Sequence, residues 1–233
     1  MKRGKKAEGS HFEVIISFVL FFVFIAFLLA YIKPVKSNYL TSSIVSELHD
    51  SFEKQVLINY TKLFLKAETS SECFSIEISN DISLWGLNGR NILSFDAESA
   101  EEVNSSLTLG KINIQGDSEF YNIIISEDLN EKLPDVSCDD LNQNNFIIGS
   151  IDEKQVVSYN KLKQIETRYN NNYEQLKKDM NFPEAFDFAV ISDIINIEKI
   201  IPQQGEIYAN DYIEEVLYPN ATLINKRFTL VVW

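Results

Sequence analysis

The sequence predicts an α+β protein: an N-terminal transmembrane helix, then a mostly antiparallel, β-rich ectodomain with one long inserted helix. Three observations carry this fold class. Residues 14 to 32, VIISFVLFFVFIAFLLAYI, contain no charge. From residue 56 onward, short segments alternate apolar and polar residues with the period of a half-buried strand. Leu162, Ile165, Tyr169, Tyr173, Leu176 and Met180 recur at intervals of three and four, the spacing of one helix face.

Taken in order, residues 1–11 form a basic leader with Lys2, Arg3, Lys5 and Lys6. The span is set at 12–33. At ~1.5 Å per residue its 19-residue apolar centre is about 28 Å long, close to a hydrocarbon core of ~30 Å. A basic leader stays on the cytoplasmic side, which puts the acidic remainder outside the cell. A cleaved secretory signal peptide is the competing reading. It fits less well, because its apolar stretch is usually shorter and LLAYIKPVKS offers no small-x-small site.

Pro34 biases the residue before it toward extended backbone, so the first helix ends or kinks there. Residues 34–58 then form a helical stalk. Ile44, Val45, Leu48 and Phe52 share one face, and Ser and Thr cap the start. The strand-rich half, 59–150, holds expected strands at 60–66, 73–79, 82–87, 90–95, 107–114, 120–126 and 144–149. Asn88-Gly89 suits a tight hairpin turn between 82–87 and 90–95. Ser150-Ile-Asp-Glu153 reads as a capping box opening the inserted helix. Asn170, Asn171 and Asn172 weaken that helix in its middle, and Pro183 follows its end. The second part, 151–233, adds strands at 185–192, 206–217 and 223–232, within the same domain or as a second one.

Composition excludes more than it assigns. A net charge of −13 and a pI near 4.6 argue against nucleic acid as a partner, which needs a basic face. No phosphate-cradling loop, no GxSxG and no HExxH occurs, and the only histidines are His11 and His49. No residue after His49 is a histidine, which removes the commonest general base and metal ligand. His49 itself is expected at a surface position. No catalytic site and no cofactor are expected.

Glu13 interrupts the ordinary anchor pattern at the edge of the apolar run. A basic leader with KKAEG, a short linker, a Glu and about twenty apolar residues resembles the class III, prepilin-type signal of type IV pilins and archaeal pilin-like surface proteins. The VLYPNATLINKRFTLVVW end gives a weaker likeness. The resemblance implies cutting after Ala7 or Gly9 by a membrane peptidase, with the apolar helix retained. It also implies an assembly contact from Glu13 to a neighbour's N-terminal amine. The cuts place Glu13 sixth or fourth rather than at the usual fifth position.

Cys73 and Cys138 read as one disulfide, or as two buried free thiols. Asn59, Asn104 and Asn220 head glycosylation sequons. Asp135, Asp139 and Asp140 could hold a weak cation. The Asp140-Leu-Asn142-Gln-Asn144 run lacks the Gly and the bidentate Glu of a calcium loop. The acidic run 96 to 102 reads as a solvated face or a helix start.

The functional expectation is a pilin-like, non-catalytic surface protein, single-pass in the cell membrane. It would contact the bilayer through 12–33 and assemble with itself or with related pilin-like subunits. The alternative is a signal-anchored binding module for a protein, glycan or cation, without a filament.

Overall fold

A computed structural model describes residues 8–31, 38–69, 71–77, 89–108, 110–134, 136–198 and 206–233. In its first two segments, side chains are described for 13–28 and from 43 onward. The chain forms two compact units, Met1–Ile44 and Val45–Trp233.

In the first unit, α1 spans Glu8–Tyr31. Here the expected fold class is corrected: among the described residues, no helix is long and apolar enough to cross a membrane. Side chains of α1 are described for residues 13–28. From Val14 to Leu28 the side chains are apolar apart from Ser17, and the large hydrophobic groups are exposed, from 36% at Ile25 to 64% at Val14.

The second expectation to change is the proportion of sheet. The described residues form twelve strands and three α-helices. The strands are β1 (Leu57–Ala67), β2 (Cys73–Glu77), β3 (Asn91–Asp96), β4 (Glu102–Thr108), β5 (Lys111–Gln115) and β6 (Phe120–Ser126). They continue as β7 (Asp139–Asp140), β8 (Phe146–Ser158), β9 (Phe188–Ile191), β10 (Asn196–Ile197), β11 (Tyr208–Leu217) and β12 (Leu223–Val232). The remaining helices are α2 (Asn38–Val56) and α3 (Tyr159–Asp179). The strands join in the order β10-β9-β12-β11-β8-β1-β6-β3-β4-β5-β2-β7. The sheet is mixed, because β11 lies parallel to β8 and β7 parallel to β2.

Three local departures from the sequence reading have physical causes. The helix expected from Ser150 starts eight residues later, because β1 pairs with β8 from Leu57↔Val157 to Ala67↔Phe146. Ser158 is the N-cap instead, its Oγ accepting the Lys161 N–H at 3.0 Å. The strand expected at 107–114 is a hairpin: the chain reverses at Gly110 (φ +79°), so Thr108 pairs with Lys111. The acidic run at 96–102 is a turn between β3 and β4. Asp96 Oδ1 accepts the N–H groups of Glu98 and Ser99 at 2.7 and 2.8 Å. Gly89 takes φ +79°, as a tight turn needs, but the strand expected at 82–87 lies outside the described residues.

The central strands are buried on both faces. Leu63 and Leu65 of β1, Ile92 of β3, and Tyr121, Ile123 and Ile125 of β6 enter one cluster with Phe74, Ile76, Ile112 and Ile114. The alternate positions Ile58, Tyr60, Leu93 and Ile124 enter a second cluster with Leu129, Val156 and Leu217. A bulge between Leu63 and Leu65 sets Gly149 against Phe64; a Cβ there would stand 3.0 Å from the ring. α3 buries Leu162, Ile165, Tyr169 and Leu176, and departs from helical geometry at Asn172, inside the asparagine run. Below that kink the buried Lys177 ammonium donates to the carbonyls of Glu184 and Phe186 at 3.2 and 2.5 Å and pairs with Asp187 at 3.3 Å. These contacts tie the end of α3 to the chain entering β9.

Candidate functional site

The residues singled out by sequence fall in separate places. Ala7 lies outside the described residues, and Gly9 stands in the first turn of α1. Glu13 is exposed on α1. Cys73 and Cys138 form a disulfide, closing a loop of 65 residues and joining β2 to the segment entering β7. The two-thiol alternative is thereby settled.

Asn59 is an exposed position on β1, its backbone carbonyl accepting the Ser126 hydroxyl at 2.8 Å. The Asn104 amide is engaged, donating to Gln115 Oε1 at 3.1 Å on the neighbouring strand. Asn220 is exposed in the β11–β12 turn, where its Oδ1 accepts the Thr222 N–H. Asp135 lies outside the described residues. Asp139 accepts from Ser71 Oγ at 3.1 Å, whereas Asp140 pairs with Lys111 at 2.6 Å. The two neighbouring carboxylates thus serve different partners.

The one mixed cluster of metal-type donors among the described residues gathers around His49, which sequence reasoning left as a surface residue. It arises from how α2 packs. Val45, Leu48, Phe52 and Val56 form the buried stripe, and Phe52 packs against Phe228 of β12 with ring centroids 6.1 Å apart. His49 and Glu53, one helical turn apart, lie along the edge of that stripe. Tyr212 and Glu214 are two residues apart on β11 and therefore share a face.

The imidazole of His49 stacks on Tyr212, centroids 3.7 Å apart and planes 14° from parallel, and its side chain is only 16% exposed. Its Nε2 lies 3.4 Å from Glu214 Oε1 and 3.8 Å from Glu53 Oε1, and its Nδ1 lies 4.0 Å from Asp50 Oδ1. Three carboxylates thus surround one imidazole. Among the described residues neither Glu53 nor Glu214 forms a salt bridge to a lysine or arginine. The only trace of this site in the sequence is the His-x-x-x-Glu spacing on α2. Glu214 is 165 residues away and is brought in by the β11–β12 hairpin.

No family model, no curated protein and no solved structure matches this chain.

Proposed function

We propose that the protein is a non-catalytic, pilin-like assembly subunit of the cell surface, held at the membrane through its N-terminal unit. The observation that carries this reading is α1: a 24-residue helix whose large apolar side chains between Val14 and Leu28 are exposed. Exposed apolar surface of this extent is covered by something else in the working protein. Lipid tails and the α1 helices of neighbouring copies are the covers with matching chemistry. The Cys73–Cys138 disulfide supports an oxidising, extracytoplasmic place for the Val45–Trp233 unit. Glu13, exposed at the start of the apolar stretch, is the polar group available for an assembly contact.

A second reading, a surface binding module without a filament, is favoured by exposed isoleucines on the sheet, Ile147 at 61% and Ile213 at 66%. Crosslinking separates the two. With Phe21→Cys in the full chain, the assembly reading expects thiol crosslinking in native membranes to give dimers and a higher ladder, diminished by Glu13→Ala. Monomers alone, with a partner captured on the sheet unit, would favour the binding module.

A further inference from the structure

We propose that Asn220 is an N-glycan acceptor, and that the fold closes the other two sequons, at Asn59 and Asn104, to the same modification. The proposal rests on the extracytoplasmic placement of the Val45–Trp233 unit given above. A glycosyl transferase has to reach two groups of an Asn-x-Ser/Thr triplet: the amide nitrogen of the Asn and the hydroxyl two residues on. The surroundings of both groups therefore decide which triplet is open.

Asn59-Tyr-Thr lies inside β1, which is paired with β6 on one side and β8 on the other. Asn59 itself is exposed, but Tyr60 and Thr61 are buried, so the threonine hydroxyl is shut within the sheet. Asn104-Ser-Ser lies on β4, with Ser105 and Ser106 both buried. Its amide nitrogen already donates to Gln115 Oε1 at 3.1 Å, and the Ser106 hydroxyl accepts from Asn113 Nδ2 at 3.1 Å. Either triplet would have to leave the sheet before it could be modified.

Asn220-Ala-Thr stands in the turn between β11 and β12. Ala221 takes φ +64° and is buried with the second core cluster, which leaves Asn220 and Thr222 exposed on either side of it. The Thr222 N–H donates to Asn220 Oδ1 at 3.2 Å. Only the oxygen of a carboxamide accepts, so this bond fixes the orientation of the amide and leaves Nδ2 facing away from it. Beside the turn, Lys62, Phe95, Asn122 and Thr222 line a groove of about 280 Å³, so an added sugar meets open space there.

The co-reactant is an oligosaccharide carried on a lipid phosphate. The bond from the sugar's anomeric carbon to the phosphate oxygen breaks, and a bond from that carbon to Asn220 Nδ2 forms. The lipid phosphate leaves with the electron pair, and the nitrogen loses one proton.

The test uses the full chain isolated from its native membrane. Glycopeptide mass spectrometry is expected to find a sugar mass on the peptide with Asn220 and unmodified peptides for Asn59 and Asn104. Asn220→Gln and Thr222→Ala should each remove the sugar, whereas Thr222→Ser should retain part of it. A second arm offers the purified, folded chain to a single-subunit oligosaccharyltransferase with a lipid-linked oligosaccharide. Transfer to Asn220 alone is expected, while short peptides carrying the three triplets should all accept. An unmodified Asn220 in the native chain overturns the proposal, and so does sugar on Asn59 or Asn104 of the folded chain. Protease treatment of intact cells reads the placement of the unit separately. A sugar-free unit outside the cell would count against Asn220 itself, and a unit shielded inside would overturn the placement on which the proposal rests.

Discussion

α1 and α3 are helices of similar length, 24 and 21 residues, yet they rest on different supports. α3 is rich in Lys, Glu and Asn. It is held by one buried stripe, a Ser158 cap, and contacts at both of its ends. α1 shows no such stripe: between Val14 and Leu28 its large apolar side chains are exposed. A helix is stabilised mainly by what its apolar face meets. For α3 that partner lies within the same chain, against β8, β9 and β10. For α1, the described side chains leave a Phe-rich surface exposed.

The largest expected effect tests the part that stands alone. Replacing both Cys73 and Cys138 by alanine should lower the unfolding free energy of the Val45–Trp233 unit by about 4 kcal/mol, as estimated for a loop of 65 residues. Urea denaturation followed by tyrosine and tryptophan fluorescence measures this. A loss below about 1 kcal/mol would mean that the two clusters hold the sheet unaided.

Leu162→Ala should remove about 3 kcal/mol, because the side chain is fully buried and its truncation leaves a cavity. The same assay reads it. Gly149→Ala is smaller, at about 1–2 kcal/mol, through overpacking of the new methyl against Phe64 at 3.0 Å. A neutral result would show that the bulge widens freely.

Much of this contrast was legible in the sequence, and particular residues show why. The uncharged run of α1 and the three-and-four spacing of α3 are local patterns, visible without partners. The strands expected at 120–126 and 223–232 were legible too, and β6 and β12 occupy those residues. Where reading failed, a distant partner decided the outcome. Ser150 carries a sound capping signal, yet the pairing of β8 with the long β1 carries strand geometry on to Ser158. The 107–114 run looked continuous because Gly110 alone marks the reversal. At the His49 cluster the helix supplied His49 and Glu53 in plain view, but Glu214 and Tyr212 became neighbours only through the β11–β12 hairpin.

Acid should probe the contacts of α3 from another side. Glu166 accepts the Asn196 N–H at 3.1 Å and pairs with Lys163 at 2.9 Å; the Lys163 contact in particular holds its carboxyl below the usual glutamate value. A carboxylate with a lowered folded pKa stabilises the fold above the unfolded value of ~4.5. That contribution is lost as pH falls through the lower folded value. Glu166→Gln should therefore cost under about 1 kcal/mol at pH 7, after allowing for solvent screening, and nothing once the carboxyl is protonated in both states. Denaturation curves at pH 7 and below pH 3 check the sign; a loss that grows in acid would contradict it.

The smallest effect is expected in α1. Phe21→Ala should leave unfolding of the sheet unit within about 0.5 kcal/mol of the wild type, because an exposed side chain removes no internal packing. Its self-association in native membranes should weaken all the same, which makes the contrast with Leu162→Ala as sharp as possible.

The most direct test of the central claim, that α1 is the assembly element of a pilin-like surface protein, is the mature N-terminus. Terminal-peptide mass spectrometry on protein isolated from its native membrane reads it. The account predicts a new terminus at Glu8 or Ser10 with α1 retained. A terminus beyond Ile32, which removes α1 from the mature protein, would contradict it.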